Sequence, residues 1–265
     1  MPEQTPFLKI EHIHAGYGCR TVLKDVSFQA EKGMLTALLG ANGCGKTTLL
    51  KVLCRQLPYS GSCVLEGRPL ERFPRRALAR QISYIPQRSG VGISLPVLEV
   101  VLMGFNPVLG VLQRPSQAQK SRAYEALAAV GLEACAEEDY QRLSEGQKQL
   151  VILARTMVED ARLLLLDEPE SALDFFHRHQ MMRLLLGLTA GSGKAGLVTL
   201  HDPALALEYC QRLVLLKDGM CIAVLHPVSD SVSRMEQALR SLYGPVRLKL
   251  LENDEKPRLV MLPAD

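Results

Sequence analysis

The sequence predicts an α/β domain organised around a mostly parallel sheet, and three observations predict it. A glycine-rich junction, "LLGANGCGKTTLL" (38–50), joins a short apolar run to a segment with helical spacing. "LLLLDEP" (163–169) is continuously apolar up to its two acids, and strand-like and helix-like segments alternate on both sides of these stretches. Unbroken apolar strands between helical patterns are what a parallel sheet covered on both faces requires.

In chain order, "FLKIEHIHAGYG" (7–18) and "TVLKDVSFQAEKG" (21–33) alternate apolar and polar residues and end in glycine, as half-buried strands do. "MLTALLG" (34–40) is a buried strand entering the glycine loop, and "KTTLLKVLCRQL" (46–57) has helical spacing. "GSCVLEGRPL" (61–70) reads as a strand pair with Gly61 and Gly67 at its turns, and "QISYIPQ" (81–87) as a strand cut off by Pro86. From about 94 to 158 helical patterns take over in "LPVLEVVLMGF", "SRAYEALAAVGL" and "GQKQLVILARTMV", which predicts a helical subdomain inserted into the α/β body. "RLLLLDEP" returns to a buried central strand, "LDFFHRHQMMRLLLGLT" to a helix with a core-facing "MMRLLLGL", and "AGLVTLHD" to another strand. After one more helix, "RLVLLKDGMCIAV" (212–224) predicts a hairpin turning at Asp218-Gly219. "VRLKLL" and "RLVML", separated by "ENDEKP", predict a second small hairpin. The expected division is a main domain over 1–225, with the helical subdomain at about 88–158, and a small C-terminal extension over 226–265.

With 265 residues and 47% hydrophobic content, the chain has the size for one large domain or one and a half. The 31 basic and 28 acidic residues leave a net charge of +3, a near balance that weighs against nucleic acid as a partner. The seven cysteines are scattered without a C-x-x-C pair, which suits reduced thiols better than a zinc site or a disulfide framework. The first residues hold acids and no apolar core of signal-peptide length, and no window reaches the ~18 apolar residues of a membrane span. The chain is therefore expected to be soluble, with any membrane role exercised through a partner.

The chemistry concentrates in three stretches. The spacing Gly40-x-x-x-x-Gly45-Lys46-Thr47 fits a loop whose backbone N–H groups cradle phosphate. A helix starting near Lys46 adds its positive dipole end, Lys46 reaches the β- and γ-phosphates, and the Thr47 hydroxyl holds Mg²⁺. Asp167 and Glu168 fall at the carboxyl end of a buried strand, where ligands of open α/β sheets bind. There Asp167 can hold Mg²⁺ through water, and Glu168 can take a proton from a water aimed at the γ-phosphate. In "RLSEGQKQL" (142–150), Ser144 looks like an N-cap, with Gly146, Gln147 and free N–H groups just beyond it, which makes a second anion site. A compact monomer has little use for two phosphate-binding helix starts, unless one serves a neighbouring copy.

"GANGCGKTT", "LSEGQ" and "LLLLDEP", in this order, resemble the ATP-binding subunits of ABC transporters, over roughly residues 7–225. The resemblance implies the P-loop NTPase cassette fold: a mostly parallel core sheet, an antiparallel β subdomain and an inserted helical subdomain. It implies that Tyr17 stacks on adenine and that Gly40, Ala41, Asn42, Gly43, Cys44, Gly45, Lys46, Thr47 and Thr48 surround the phosphates of ATP. Glu168 is then the catalytic base, and His201 contacts the γ-phosphate. Gln87 reaches Mg²⁺ and the attacking water, with Thr47 and Asp167 as the other metal-side residues. "SALD" (171–174), ending at Asp174, resembles the D-loop. Two copies would sandwich two ATPs head to tail, the 40–48 loop of one facing Ser144, Gly146 and Gln147 of the other. Hydrolysis would then remove the bridge between them.

The sequence departs from the common pattern at Glu145, in place of a glycine, at Glu170, where threonine is frequent, and at Pro203. Glu145 is expected to point its carboxylate away from the phosphate. Cys44 is read as a small loop residue whose exposure beside a helix start lowers its pKa. His12 and His14 read as exposed strand positions, while His177 and His179, two apart on a helix, diverge.

"VLEVVLMGFNP" (97–107) resembles the corresponding texture of ATPases that serve iron–siderophore, haem and vitamin B12 importers, with Asn106 departing from the usual arginine. That likeness implies a homodimer on the cytoplasmic side of the inner membrane, held there by a polytopic permease contacted near 88–110. It also implies a substrate-binding protein as an indirect partner, and no nucleic acid. A soluble ABC ATPase serving non-transport machinery, such as iron–sulfur cluster assembly, is the alternative.

Overall fold

β1 (Leu8–Tyr17) and β2 (Arg20–Ala30) bury alternate side chains and pair antiparallel across a two-residue turn. They open a computed structural model that describes residues 6–87, 92–110, 113–191, 193–251 and 258–264. β3 (Leu35–Leu39) is buried at every position because its side chains alternate between two cores. Leu35, Ala37 and Leu39 join one core and Leu38 the other. α1 (Lys46–Leu53) follows the glycine loop and is shorter than its sequence pattern, ending where Arg55 takes a positive φ of 53°.

β4 (Tyr59–Leu65) and the two-residue β5 (Arg68–Pro69) extend the antiparallel flank beyond β1. Gly61 lies inside β4 rather than at a turn, a correction to the sequence reading. A Cβ there would come within 2.3 Å of the His12 carbonyl oxygen, so the irregular pairing of β1 and β4 needs the bare backbone. α2 (Arg75–Gln81) precedes β6 (Ile82–Ile85). α3 (Val97–Leu102), α4 (Gln117–Ala129) and α5 (Glu145–Val158) then pack on one another. β7 (Leu163–Asp167) returns directly alongside β6, in parallel, so the helical chain between them is an insertion between neighbouring strands.

α6 (Phe175–Ala190), β8 (Ala195–Thr199), α7 (Pro203–Tyr209), β9 (Arg212–Lys217) and β10 (Met220–Leu225) complete the main sheet. Its order is β5-β4-β1-β2-β10-β9-β3-β8-β7-β6. The stretch β9-β3-β8-β7-β6 is parallel and the β1, β2, β4, β5 flank is antiparallel. This is the predicted cassette, with the β9–β10 hairpin turning at Asp218-Gly219.

α8 (Val232–Tyr243) leads into the antiparallel pair β11 (Val246–Leu251) and β12 (Arg258–Pro263). The "ENDEKP" turn between them lies outside the described residues. Met235, Leu239, Val246 and Leu248 join the same core as β3, α5 and α6. The seven cysteines are free thiols, and no helix among the described residues is long and apolar enough to cross a membrane.

Candidate active site

Parallel pairing of β3, β7 and β8 sets Leu38, Asp167 and Thr199 side by side at the carboxyl edge of the sheet, and the site grows from there. Gly45 caps α1 in a left-handed conformation, φ 112°, that an L side chain rarely adopts. A Cβ there would come within 2.5 Å of the Leu23 side chain. Having no side chain, Gly45 offers no acceptor, so α1 begins without a side-chain bond to its first N–H groups.

Those N–H groups border a cavity of about 320 Å³. Asn42, Gly43, Gly45, Lys46, Thr47 and Thr48 line its floor, with Tyr17, Arg20 and Val22 on one wall and Glu168 on another. Tyr17 is 45% exposed at the end of β1, and the Lys51 ammonium lies 5.7 Å from its ring centre. Lys46 is almost fully buried, and its Nζ donates to the Gly40 carbonyl at 2.8 Å and the Ala41 carbonyl at 3.4 Å. Gly40 and Ala41 thus support the lysine from behind.

Cys44 departs from the sequence expectation. Its N–H donates to the Ala41 carbonyl at 3.2 Å, closing the loop on itself. Its thiol is buried against Gly40, where an added Cβ would lie 2.4 Å from the sulfur. Burial raises the thiol pKa, with the Lys46 charge opposing, so the direction is the reverse of the one expected. The helix-start argument failed because the side chain turns into the protein.

Asp167 is 1% exposed, and its Oδ1 accepts from the Thr47 hydroxyl at 3.1 Å and the Thr199 hydroxyl at 2.9 Å. Burial pushes its carboxyl up, while the Thr47 and Thr199 bonds pull it back. The Thr199 oxygen in turn accepts the Glu168 N–H at 2.7 Å. Glu168 sits at φ +50°, a strained backbone for a non-glycine residue, costing about 1–3 kcal/mol. That turn swings its carboxylate out over the loop. Its Oε2 receives the Gln87 amide at 2.5 Å and faces His201 Nε2 at 2.7 Å, while its Oε1 lies 4.0 Å from the Lys46 ammonium.

The structure therefore gathers Gln87, His201 and Lys46 around the Glu168 carboxylate, with Asp167 and Thr47 nearby. Thr47 and Asp167 present a hydroxyl and a carboxylate on adjoining elements, oxygen donors of the kind Mg²⁺ takes together with substrate phosphates.

Ser144, Gly146, Gln147 and Asp174 stand apart: none lines this cavity. Ser144 caps α5 in a reciprocal box, its Oγ accepting the Gln147 N–H at 3.2 Å and Gln147 Oε1 accepting the Ser144 N–H at 3.0 Å. Ser144 is thus the N-cap that the sequence predicts, and it occupies the Gln147 N–H. Glu145 points to solvent and pairs with Lys148 at 2.8 Å. A Cβ on Gly146 would lie 3.1 Å from the Ala172 carbonyl, so this helix start and the 171–174 turn form one surface. Asp174 caps α6 by accepting the His177 N–H at 2.9 Å, a bond that holds its carboxyl below the usual range.

His177 also turns to Asp174 and His179 to the Tyr209 hydroxyl, so the two diverge as expected. His12 and His14 are exposed. Sequence reading missed Arg20 and Thr199: an arginine in a strand turn carries no local signal, and Thr199 matters only through strand register.

The sequence profile of the ABC transporter family matches residues 23–171. The chain is 38% identical over 243 residues to the hemin import ATP-binding protein of Pseudomonas putida, covering 89% of this chain and 92% of that one. It is 39% identical over 212 residues to the zinc transport system ATP-binding protein of Treponema pallidum, covering 79% and 77%. Among solved structures, a chain described as a metal-chelate type ABC transporter in an inward-facing conformation superposes with a TM-score of 0.82. Identity there is 25%, with 98% of both chains covered.

Proposed function

The chain belongs to the ABC transporter family as an ATP-binding, ATP-hydrolysing subunit, and from that premise we propose that it powers a membrane importer of a metal chelate, haem foremost. The carrying observation is the near full-length likeness to a hemin import subunit, 92% of which is spanned. The complete set of hydrolytic groups around Glu168 supports the same reading.

In this reading Tyr17 stacks on adenine, and the loop 40–48 with the Lys46 ammonium binds the β- and γ-phosphates. Thr47, Asp167 and Gln87 hold Mg²⁺, which when bound offsets charge on the phosphate oxygens. Glu168 takes the proton from the attacking water. Gln87 and His201 orient that carboxylate, and His201 turns to the γ-phosphate. Ser144, Gly146, Gln147 and Asp174 serve the nucleotide of a second copy, because their outward placement leaves them no partner in their own cavity. The permease docks on the helical insertion near 88–110, of which 88–91 lie outside the described residues. The unit then works at the cytoplasmic side of the inner membrane, with a substrate-binding protein delivering cargo. We divide it at 225, the C-terminal extension 226–265 bracing the core.

The zinc transport relative, at 39% identity, favours a second reading in which the cargo is a bare metal ion. Detergent extraction from the native membrane followed by affinity purification tests the proposal. The expected result is one polytopic membrane protein retained with the chain, whose reconstituted complex hydrolyses ATP faster with a haem-loaded binding protein. Stimulation by a zinc-loaded binding protein alone would select the second reading. A partner found solely in the soluble fraction would overturn both.

A further inference from the structure

Glu170 is a departure that the hydrolytic roles above leave unused. It is 3% exposed, one turn beyond Glu168, and its Oε1 accepts the main-chain N–H of His201 at 3.0 Å. Its other oxygen, Oε2, is buried without a hydrogen-bond partner. The segment carrying it is internally tied, Ser171 N–H to the Glu168 carbonyl at 3.2 Å and Leu173 N–H to the Glu170 carbonyl at 3.0 Å. One short turn therefore grips His201 twice: Glu168 faces its imidazole at 2.7 Å and Glu170 holds its backbone.

The His201 side chain is 44% exposed and meets Glu168 through its ring nitrogen. Its position depends on where the main chain leaves β8. There Leu200 N–H reaches Leu38 at a long 3.3 Å, and the next residue, Asp202, spends its carboxylate on capping α7. The carboxylate of Glu170 is the side chain that ties the His201 backbone.

Resting on the hydrolytic reading above, we propose that Glu170 is a positioning residue for ATP hydrolysis, fixing the His201 backbone so that its imidazole stays registered with Glu168. Burying a carboxylate with one oxygen unpaired is costly, and burial does push this carboxyl up, opposed by the His201 N–H. A side chain kept for packing alone would be apolar here. One that must reach a backbone N–H needs an acceptor at glutamate length, which threonine or alanine does not supply.

The test compares Glu170→Gln, which keeps the acceptor, with Glu170→Met, which keeps the shape and removes it. The Gln variant is expected to hold kcat within about twofold. The Met variant is expected to lose about tenfold in kcat, on the scale of one charged hydrogen bond, with KM for ATP unchanged. In a His201→Ala background the Met substitution should add no further loss, because the effect travels through His201. Should Glu170→Met fail to fold, Glu170→Asp, which keeps the charge but withdraws the oxygen by one methylene, carries the same expectation. Wild-type kcat in the non-reaching variant, a raised KM in place of a lower kcat, or an equal loss without His201 would overturn the proposal. A parallel Glu168→Gln control that still turned over would instead sink the hydrolytic reading itself.

Discussion

The mouths of α1 and α5 carry the two anion-binding patterns of this chain, and the structure treats them in opposite ways. At α1 the cap is a glycine without a side chain, the first N–H groups open into a cavity, and a buried ammonium stands beside them. At α5 the cap is closed by Ser144 and Gln147 in both directions, and Glu145 with its Lys148 partner lies at the surface. Every α-helix starts with N–H groups that have no partner within the helix. What makes one a pocket is its surroundings: Tyr17, Arg20 and Val22 from β1 and β2 and Glu168 just past β7 line it, while α5 opens outward beside the 171–174 turn. A single chain thus holds one helix start open onto a cavity lined by Lys46 and Glu168, and a second whose residues do not line it.

Three variants press on that contrast. Glu168→Gln should cost the most, about 10²–10⁴-fold in kcat, because it removes the proton acceptor from the α1 side. ATP binding should survive and ATP-dependent dimers should accumulate in size-exclusion chromatography; retained turnover would show that the α1 side lacks the base. Lys46→Ala comes next, with about 10–100-fold weaker ATP binding as a charged contact to phosphate is lost. Calorimetric titration reads it, and an unchanged affinity would move the binding site away from α1. Ser144→Ala should be smallest, about 1 kcal/mol of stability through the lost cap. Single-chain ATP affinity should stay at the wild-type value while the ATP-driven dimer weakens. A loss of affinity in the monomer would erase the distinction between the two mouths.

Much of this was legible beforehand. β3, β7 and β8 read as buried strands because they are apolar apart from a threonine in β3 and in β8 and the acid that ends β7, and the loop and acid motifs pointed to a phosphate ligand through spacing. α2 and α8 were not among the patterns read. α2 buries Leu78 alone in a segment with three arginines, and α8 keeps two buried residues, Met235 and Leu239, in a polar stretch. Cys44 misled for a related reason: a helix-start argument sets the charge environment of a thiol but not whether it faces water.

Sequence alone determined the cassette and most of its strands and helices, and it marked Lys46, Asp167 and Glu168 by motif spacing and His201 by family resemblance, because hydrophobic period and motif spacing are local. Only the tertiary structure decided that Thr199 locks Asp167 to the turn of Glu168, that Gln87 and His201 meet on one oxygen, and that Glu170 holds the backbone of His201. Those contacts depend on strand register and on a left-handed residue at 168, and they join residues 31 to 81 positions apart, which no local pattern encodes.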